Sequence, residues 1–376
     1  MNNKKSALRL AIGIFLLSVN SVSLADESNV RISGFLTTIF SQGQNDKDTG
    51  YGNGLAEKDV EMDTRDSHLG IQFESTINPQ MDVTAQMIAR GGDLGGDSYN
   101  LDVDWAYVDY QVLESVRFRI GKYKIPQFIA SDYLDVGYAY PWVRPPQDVY
   151  STNPLISLNG IDMLYKIDAG SSKMFLDLFF GDGAHDTFVP PRTVDLSGGT
   201  LPASMKGQQI SFDTTSTVGG AVKYVAPHYT VRAGYFKTKV TQEDFGLTDV
   251  PGAFGGVGFT LDYNNIIAYA EFIRRDTDPD MAGAFPDQDA WYVTLGYRMG
   301  KFLPTYTVSQ IREGVDKSPL AIEETSQALG LRYDVADSAD FKFELLYVEP
   351  KDGNHGLFDD PVDNGTIYSL AFDVIF

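Results

Sequence analysis

The 376-residue chain contains no cysteine. This absence excludes disulfide cross-links and thiolate catalysis, and it removes the sulfur ligands that most structural zinc sites use. It also leaves no cysteine side chain to carry a lipid. No covalent cross-link or lipid anchor of these kinds therefore holds the mature chain.

Long apolar runs are missing as well. No stretch after residue 25 approaches 18 consecutive apolar residues, which is the length at which a membrane-spanning helix becomes a candidate. We therefore expect no transmembrane helix in the mature chain.

Basic residues are few, with 30 Lys and Arg against 51 Asp and Glu. Without Lys4, Lys5 and Arg9 of the N-terminal segment, the formal charge of the chain is −24. Nucleic-acid phosphates require a basic surface. The charge balance therefore excludes nucleic acid as a partner.

Histidine is scarce too, with four residues in the whole chain. An outer-membrane hydrolase would need a nucleophile in contact with a base. His68 has no obvious serine partner, and His185, His228 and His355 fall in predicted connections between strands. The sequence predicts no enzymatic activity, no cofactor and no metal site.

The N-terminus carries an export signal. Lys4, Lys5 and Arg9 form a charged start, an apolar run from Leu10 to Leu17 follows, and small residues stand at positions 23 and 25. The apolar run is too short to span a bilayer. We predict a signal peptide over residues 1–25 and a mature domain over residues 26–376, with an uncleaved membrane anchor as the alternative.

Aromatic residues and glycine are abundant, with 21 Tyr, 23 Phe and 36 Gly. The last nine residues alternate between two faces. One face carries Tyr368, Leu370, Phe372, Val374 and Phe376, and the other carries Ser369, Ala371 and Asp373 together with Ile375. A strand of this kind fits a wall between lipid and water, although the edge of a soluble sandwich would alternate in the same way.

Similar alternation recurs along the chain in about sixteen strand candidates. Tight turns such as Asn264-Asn265 alternate with long polar connections such as those from Ser41 to Arg65 and from Gly181 to Asp213. A barrel threaded through a membrane from one side needs short turns at one end and tolerates long loops at the other. The sequence predicts an all-β fold, a transmembrane antiparallel up-and-down β-barrel of about sixteen strands. Pro304 falls inside the thirteenth candidate, where a closed ladder tolerates proline poorly.

One long connection, from Ile125 to Ser157, differs from the others. It is rich in proline and in rings that a loop in water has little reason to carry, namely Phe128, Tyr133, Tyr138, Tyr140, Trp142 and Tyr150. A wide barrel has a lumen that can receive such rings. We predict that this third long loop (residues 125–157) folds into the lumen.

The export signal, the strand count, the terminal Phe376 and the infolded third loop together resemble the Gram-negative general-diffusion porin family. The segments Gly121-Lys-Tyr-Lys-Ile-Pro and Asp132-Tyr-Leu-Asp-Val-Gly-Tyr-Ala-Tyr-Pro resemble a proteobacterial branch of it. The resemblance implies a water-filled channel in the outer membrane of a Gram-negative bacterium, open to small hydrophilic solutes and ions and narrowed by the third loop. It also implies a homotrimer and recognition of the last strand by the barrel-assembly machinery. The Pro-Glu-Phe-Gly-Gly-Asp type of motif common in the third loop of enteric members is absent.

Charges of both signs fall on the predicted lumen face. We predict a pore constriction formed by three wall arginines and four charged residues of the third loop: Arg90, Arg117, Arg119, Asp132, Asp135, Arg144 and Asp148. Opposed charges across a narrow pore create a transverse field that orients dipolar solutes and sorts ions. We expect a mild preference for cations. Solvated lumen charges without a role in selectivity are the alternative.

Two further features leave alternatives open. The first long loop is acidic, with Asp46, Asp48, Glu57, Asp59, Glu61 and Asp63. Carboxylates suit divalent cations that bridge to outer-membrane lipopolysaccharide, although a solvated acidic loop has the same composition. A substrate-specific channel for sugar, phosphate or carboxylate is the alternative function, because loop rings can stack on sugars and lumen arginines can bind anions.

Overall fold

The computed structural model describes residues 30–52, 58–91, 99–188, 195–196, 199–200, 209–243, 246–281, 285–314, 321–351 and 353–376. The predicted signal peptide (residues 1–25) lies outside these residues. Among them, no helix is long and apolar enough to cross a membrane.

Sixteen long strands within the described residues form one antiparallel sheet that closes on itself. Each strand pairs with the next in the chain, and the last pairs with the first from Phe35 opposite Ile375 to Asn45 opposite Gly365. The strands are β1 (Val30–Asn45), β2 (His68–Asn78), β3 (Met81–Gly91), β4 (Tyr99–Leu113), β5 (Val116–Lys124), β6 (Ser157–Ala169), β7 (Ser172–Phe188), β8 (Gln209–Val225), β9 (Tyr229–Gln242), β10 (Leu247–Tyr263), β11 (Ile266–Thr277), β12 (Gln288–Tyr297), β13 (Phe302–Glu313), β14 (Glu324–Ala336), β15 (Ala339–Pro350) and β16 (Gly365–Ile375). The predicted barrel of about sixteen strands is confirmed.

The two faces of the wall differ as the alternation predicts. In β16, Tyr368 is 44% exposed on the outer face, while Asp373 is 1% exposed on the inner face. Large apolar side chains such as Ile32, Leu329 and Phe343 are likewise exposed on the outside. Apolar side chains on the outer face would be unfavourable in water but can contact lipid. The outer surface therefore fits a hydrocarbon environment.

Short turns and long connections occupy opposite ends of the barrel. The turn at Gly170 and the turn at Gly300 use positive φ angles of 65° and 62°, which glycine adopts at no steric cost. Asn264 adopts a φ of 54° in the turn between β10 and β11, a left-handed conformation that asparagine tolerates better than most residues. These turns join each pair of strands at one end, as the sequence predicts.

Two details differ from the sequence-based expectation. The predicted loop from Gly181 to Asp213 is shorter, because β7 continues to Phe188 and β8 begins at Gln209. Strands that project beyond the lipid need no apolar face, so alternation does not reveal them. Pro304 lies within β13 opposite Leu331, two residues from the strand start, where the loss of one N–H has little effect on the ladder.

The connection between β5 and β6, residues 125–156, is named the aromatic loop below. It contains two short 3-10 turns, Ser131–Tyr133 and Gly137–Ala139, and one helical turn, Gln147–Tyr150. Phe128, Tyr140 and Trp142 are buried at 2%, 4% and 3% exposure. They belong to one cluster with wall residues of β7 and β9 to β13, among them Phe179, Phe254, Tyr292 and Ile311. The rings that are unexplained in a water-exposed loop are therefore packed against protein.

Candidate functional site

The aromatic loop is fixed to the inner face of one side of the wall. The Nε1 of Trp142 donates hydrogen bonds to the hydroxyls of Thr294 and Thr307, at 2.9 and 3.3 Å. The carboxylate of Glu271 accepts from the Ile129 backbone N–H at 2.6 Å and from the Tyr150 hydroxyl at 2.7 Å. All three wall residues point away from the exposed apolar face, so the loop lies against the wall from within.

Asp135 is held by two cations and is buried. Its carboxylate lies 2.5 Å from Lys124 Nζ and 3.1 Å from the Arg90 guanidinium. Burial by itself raises the pKa of the Asp135 carboxyl, but Lys124 and Arg90 outweigh that effect and hold the pKa below its usual range. Asp135 is therefore ionised, and its charge is neutralised within the protein.

A second attachment lies two residues further along the loop. Lys342 Nζ donates to the Gly137 carbonyl at 2.5 Å, and Arg332 donates to the Tyr138 carbonyl at 2.7 Å. Lys342 is in turn paired with Asp373 at 3.0 Å. A Cβ at position 137 would overlap the Asp373 carboxylate, so only glycine permits this close approach.

Arg144 attaches the far part of the loop to the first long connection and to β1. Its guanidinium pairs with Asp63 and Asp66 and donates to the Ser41 hydroxyl at 2.9 Å. Burial by itself lowers the pKa of Arg144, but the two carboxylates outweigh this and raise it. Asp63, one of the acids predicted to bridge lipopolysaccharide, is therefore engaged inside the protein.

Asp148 has a different environment from Asp135. It is 1% exposed, accepts a hydrogen bond from the Ser309 hydroxyl and has no cation within 4 Å among the described ion pairs. Burial raises the pKa of its carboxyl. Asp148 is therefore buried without the cationic partners that Asp135 has.

Three predicted residues remain: Arg117 and Arg119 lie on the wall strand β5, and Asp132 lies on the aromatic loop. Arg119 pairs with Asp162 and, at 3.8 Å, with Asp177, and its guanidinium lies 5.5 Å from the Tyr107 ring centroid. Arg117 lies 3.3 Å from Asp109 and 3.4 Å from Asp82. These two arginines take their carboxylate partners from the wall itself and not from the aromatic loop.

Asp132 is the exposed carboxylate of the aromatic loop. Its charge acts on Arg119 of β5 and on Arg232 of β9. A cavity of about 520 Å³ is lined by residues of β1 to β5: Arg31, Glu74, Ser75, Thr76, Asp82, Thr84, Tyr107, Asp109 and Arg117.

The seven predicted constriction residues thus fall into three groups. Arg90, Asp135, Arg144 and Asp148 attach the loop, Arg117 borders the cavity and Asp132 is exposed, whereas Arg119 is buried among its wall partners. Sequence reasoning missed Lys124 and Lys342, two buried lysines that bind the loop. The parity of Lys342, between Phe341 and Phe343, is the signal that could have assigned it to the inner face. The described residues hold no cluster of three or more His, Asp and Glu side chains arranged for a metal ion.

A closed sixteen-stranded antiparallel barrel, apolar outside and charged inside, defines an outer-membrane channel. The chain belongs to the Gram-negative porin family, whose model matches residues 13–353. It is an outer-membrane porin, and the predicted family and localisation are confirmed.

Solved structures share this fold at low sequence identity. The anion-selective porin from Comamonas acidovorans is 12% identical, with a TM-score of 0.60 over 92% of this chain and 99% of that chain. Salmonella typhi OmpF in complex with daunomycin is 13% identical, with a TM-score of 0.60 over 92% of this chain and 97% of that chain. OmpT of Vibrio cholerae is 14% identical, with a TM-score of 0.58 over 92% and 97%. No match to a curated protein sequence was found.

Proposed function

We propose that the protein is a general-diffusion porin whose open path runs along one side of the lumen only. The observation that carries the proposal is the one-sided attachment of the aromatic loop. The loop binds the inner face of β9 to β16, β1 and β2. The loop also pairs with Arg90 of β3 and packs in one cluster with Phe179 of β7. The charged wall formed by Asp82, Asp109 and Arg117 of β3 to β5 is not covered by these contacts and borders the cavity.

The path is constricted between the exposed edge of the aromatic loop and this charged wall. Asp132 lies on the loop side, and Arg117, Arg119 and Tyr107 lie on the wall side. Each of the two arginines has two carboxylate neighbours on the wall. Three acids of the cavity lining, Glu74, Asp82 and Asp109, stand against two bases, Arg31 and Arg117, and this balance supports a mild preference for cations.

The structure argues against the aromatic loop as a stacking surface for sugars. Phe128, Tyr140 and Trp142 face the wall and are buried, so their rings have no free face for a solute. Diffusion through a charged aqueous path is the function that the arrangement supports best, without enzymatic activity.

The last strand carries the feature that bears on assembly of the barrel. The last strand ends in Phe376, whose ring covers Gly34 and whose backbone pairs with Gly34 at 2.8 and 2.9 Å. This exposed aromatic terminus supports recognition of β16 by the barrel-assembly machinery.

Of the first-loop acids proposed for lipopolysaccharide contact, Asp48 is paired with Lys58 at 2.6 Å, so the remaining acids would have to carry that role.

The test is reconstitution of the purified protein in planar bilayers and liposomes. We expect stable channels with a linear current–voltage relation, and uptake rates of neutral sugars that fall smoothly with solute size. Saturation of uptake by one sugar at low concentration would identify a specific channel instead. Absence of channels would contradict the porin function itself.

A further inference from the structure

Two buried carboxyl groups meet where the aromatic loop contacts β14. Asp148 belongs to the helical turn of the loop, and Glu324 is the first residue of β14. The two side chains are hydrogen-bonded to each other, and their exposed fractions are 1% and 2%. Neither residue lines the charged cavity. Asp148 and Glu324 are named the carboxyl pair below.

Glu324 joins the carboxyl pair to two other segments of the chain. Its Oε1 accepts a hydrogen bond from the Tyr51 hydroxyl at 2.8 Å, and its Oε2 accepts from the Leu357 backbone N–H at 2.7 Å. Tyr51 lies in the first connection, between β1 and β2, and Leu357 lies in the last connection, between β15 and β16. The carboxyl pair is therefore the point where the aromatic loop, the first connection and the last connection are held together.

An apolar cluster surrounds these contacts. Its buried side chains, within the described residues, are Tyr51, Val348, Leu357, Phe358, Val362 and Ile367. The rings of Tyr51 and Phe358 lie edge to face, with 4.9 Å between their centroids. Water is excluded from such a cluster, so charges within it are screened less than charges at the surface.

The carboxyl pair has no cationic partner among the described ion pairs. Arg144 borders the space beside Asp148, but its guanidinium pairs with two other carboxylates. Glu344 borders the same space and is itself acidic. The pKa of Tyr51 is raised, chiefly by burial, so its hydroxyl stays neutral. Two carboxylates in contact without a cation cannot both be ionised, and the pair retains one proton.

We propose that the carboxyl pair is a pH-sensitive switch, in which one shared proton holds the aromatic loop together with the first and last connections. When the proton is lost, the two buried carboxylates repel each other and the contact between the loop and β14 breaks. The contact is present at acidic and neutral pH and is lost in alkaline solution. The inference rests on the proposed function, because the aromatic loop narrows the channel whose current reports the switch.

The direction of the effect on stability follows from the protons bound in each state. In the unfolded chain both carboxyls have lost their protons above about pH 5, whereas the folded pair keeps one. The folded state then binds more protons, so stability falls as the pH rises from the unfolded pKa values toward the folded value. The Asp135 attachment has the opposite pH dependence, because its carboxylate is ionised in the folded state.

The first test is single-channel recording at about pH 6 and about pH 9. In the unmodified protein, brief closures should be at least fivefold more frequent at the higher pH, because the released end of the loop moves within the lumen. In Asp148→Asn and in Glu324→Gln, an amide N–H donates to the remaining carboxylate in place of the proton, so closures should be equally frequent at both pH values. Closures independent of pH in the unmodified protein, or pH-dependent in both variants, would overturn the proposal. Absence of channels at either pH would instead contradict the proposed function.

Asp360→Asn is the matched control. The Asp360 carboxylate accepts from the Thr49 hydroxyl at 3.2 Å, so it also joins the first and last connections but lies outside the carboxyl pair. This variant should keep the pH dependence of the unmodified protein. A loss as complete as in Asp148→Asn would contradict the assignment to the pair.

Thiol labelling tests the switch without relying on the current. Leu357 is 7% exposed and Asn364 is exposed in the same connection. The labelling rate of Leu357→Cys, divided by that of Asn364→Cys, should rise at least fivefold between the two pH values. The same ratio should stay constant when Asp148→Asn is added to both variants. A constant ratio without Asp148→Asn, or an equal rise with it, would overturn the proposal even if Glu324→Gln fails to fold.

Discussion

At the scale of single residues, the charged side chains inside the barrel have two different roles. Asp135 and Arg144 are neutralised by partners and attach the aromatic loop, whereas Asp132 faces open space. Parity along the strands is enough to assign a charge to the lumen, but it cannot distinguish an attached charge from a free one. That distinction depends on partners far away in the sequence, such as Asp63 for Arg144.

Ion selectivity should depend on Asp132 more than on the acids outside. Replacing Asp132 with Asn should shift the reversal potential in a KCl gradient toward anions. One charge at 4 Å is worth about 1 kcal/mol in water, so the permeability ratio should change by up to about fivefold. The control variant Asp46→Asn/Asp48→Asn lies in the first loop, where salt screens charges beyond about 8 Å at physiological ionic strength. A larger shift from this control at high salt would contradict the proposed path.

Replacing each of the two buried acids of the aromatic loop, Asp135 and Asp148, with asparagine should change the free energy of unfolding by different amounts. Asp135→Asn leaves Lys124 and Arg90 without a partner they share, and breaking a buried ion pair costs about 3 kcal/mol or more. Asp104 lies 2.8 Å from Lys124 and offsets part of this cost. Asp148→Asn breaks none of the described ion pairs and keeps an oxygen that can accept from the Ser309 hydroxyl, so its cost should be smaller, about 1 kcal/mol. Denaturant unfolding of the detergent-solubilised barrel measures both, and equal costs would contradict these assignments.

Acid should weaken the Asp135 attachment for the same reason. The folded-state pKa of Asp135 is held below its unfolded value. Its contribution to stability is therefore present above the unfolded pKa of about 3.9 and is lost as the pH falls from there toward the folded value. The Asp135→Asn variant should lack this loss when unfolding is compared at pH 5 and pH 3.

At the scale of elements, the strands could be predicted well and the loop attachments could not. Each strand has lipid on one side and polar groups on the other, so alternation determines β1 to β16 within a few residues. Alternation fails where β7 and β8 leave the lipid, as the polar run after Gly181 illustrates. The aromatic content of the loop predicts burial, whereas its contacts with Lys342 and Glu271 depend on tertiary packing.

The close approach at Gly137 offers a test of the loop's position. Gly137→Ala places a methyl group against the Asp373 carboxylate and should push the loop from the wall, at a cost of about 1–3 kcal/mol. Both the unfolding midpoint and the single-channel conductance should change. Ala139→Ser adds one atom at an exposed position two residues away and should change neither. Unaltered conductance and stability in Gly137→Ala would contradict the observed packing.

At the scale of the whole molecule, the barrel has a closed side and an open side. The aromatic loop covers the inner wall from β9 through β16 to β2 and also contacts Arg90 of β3 and Phe179 of β7, whereas the open charged cavity is lined by β1 to β5. This asymmetry cannot be predicted from the sequence, because alternation makes all sixteen strands look alike.

The trimer implied by family resemblance is a prediction about the outer surface. Small outward residues allow barrels to pack closely, and Ala268 and Ala270 of β11 provide such a surface. Gly34 does not, because the Phe376 ring of the same chain covers it. Electrophoresis without heating should show a heat-labile species near three times the 41.5 kDa of the chain. A monomer by light scattering in mild detergent would contradict the prediction.

The most direct test of the one-sided path is thiol modification, because the chain has no cysteine of its own. Thr84 and Thr294 are both inward threonines; Thr84 borders the charged cavity, and Thr294 lies beneath Trp142 of the aromatic loop. In single variants, a charged thiol reagent added to an open channel should lower the current of Thr84→Cys and leave that of Thr294→Cys unchanged. Rapid modification and block of Thr294→Cys, with Thr84→Cys unaffected, would show that the path runs on the other side of the lumen.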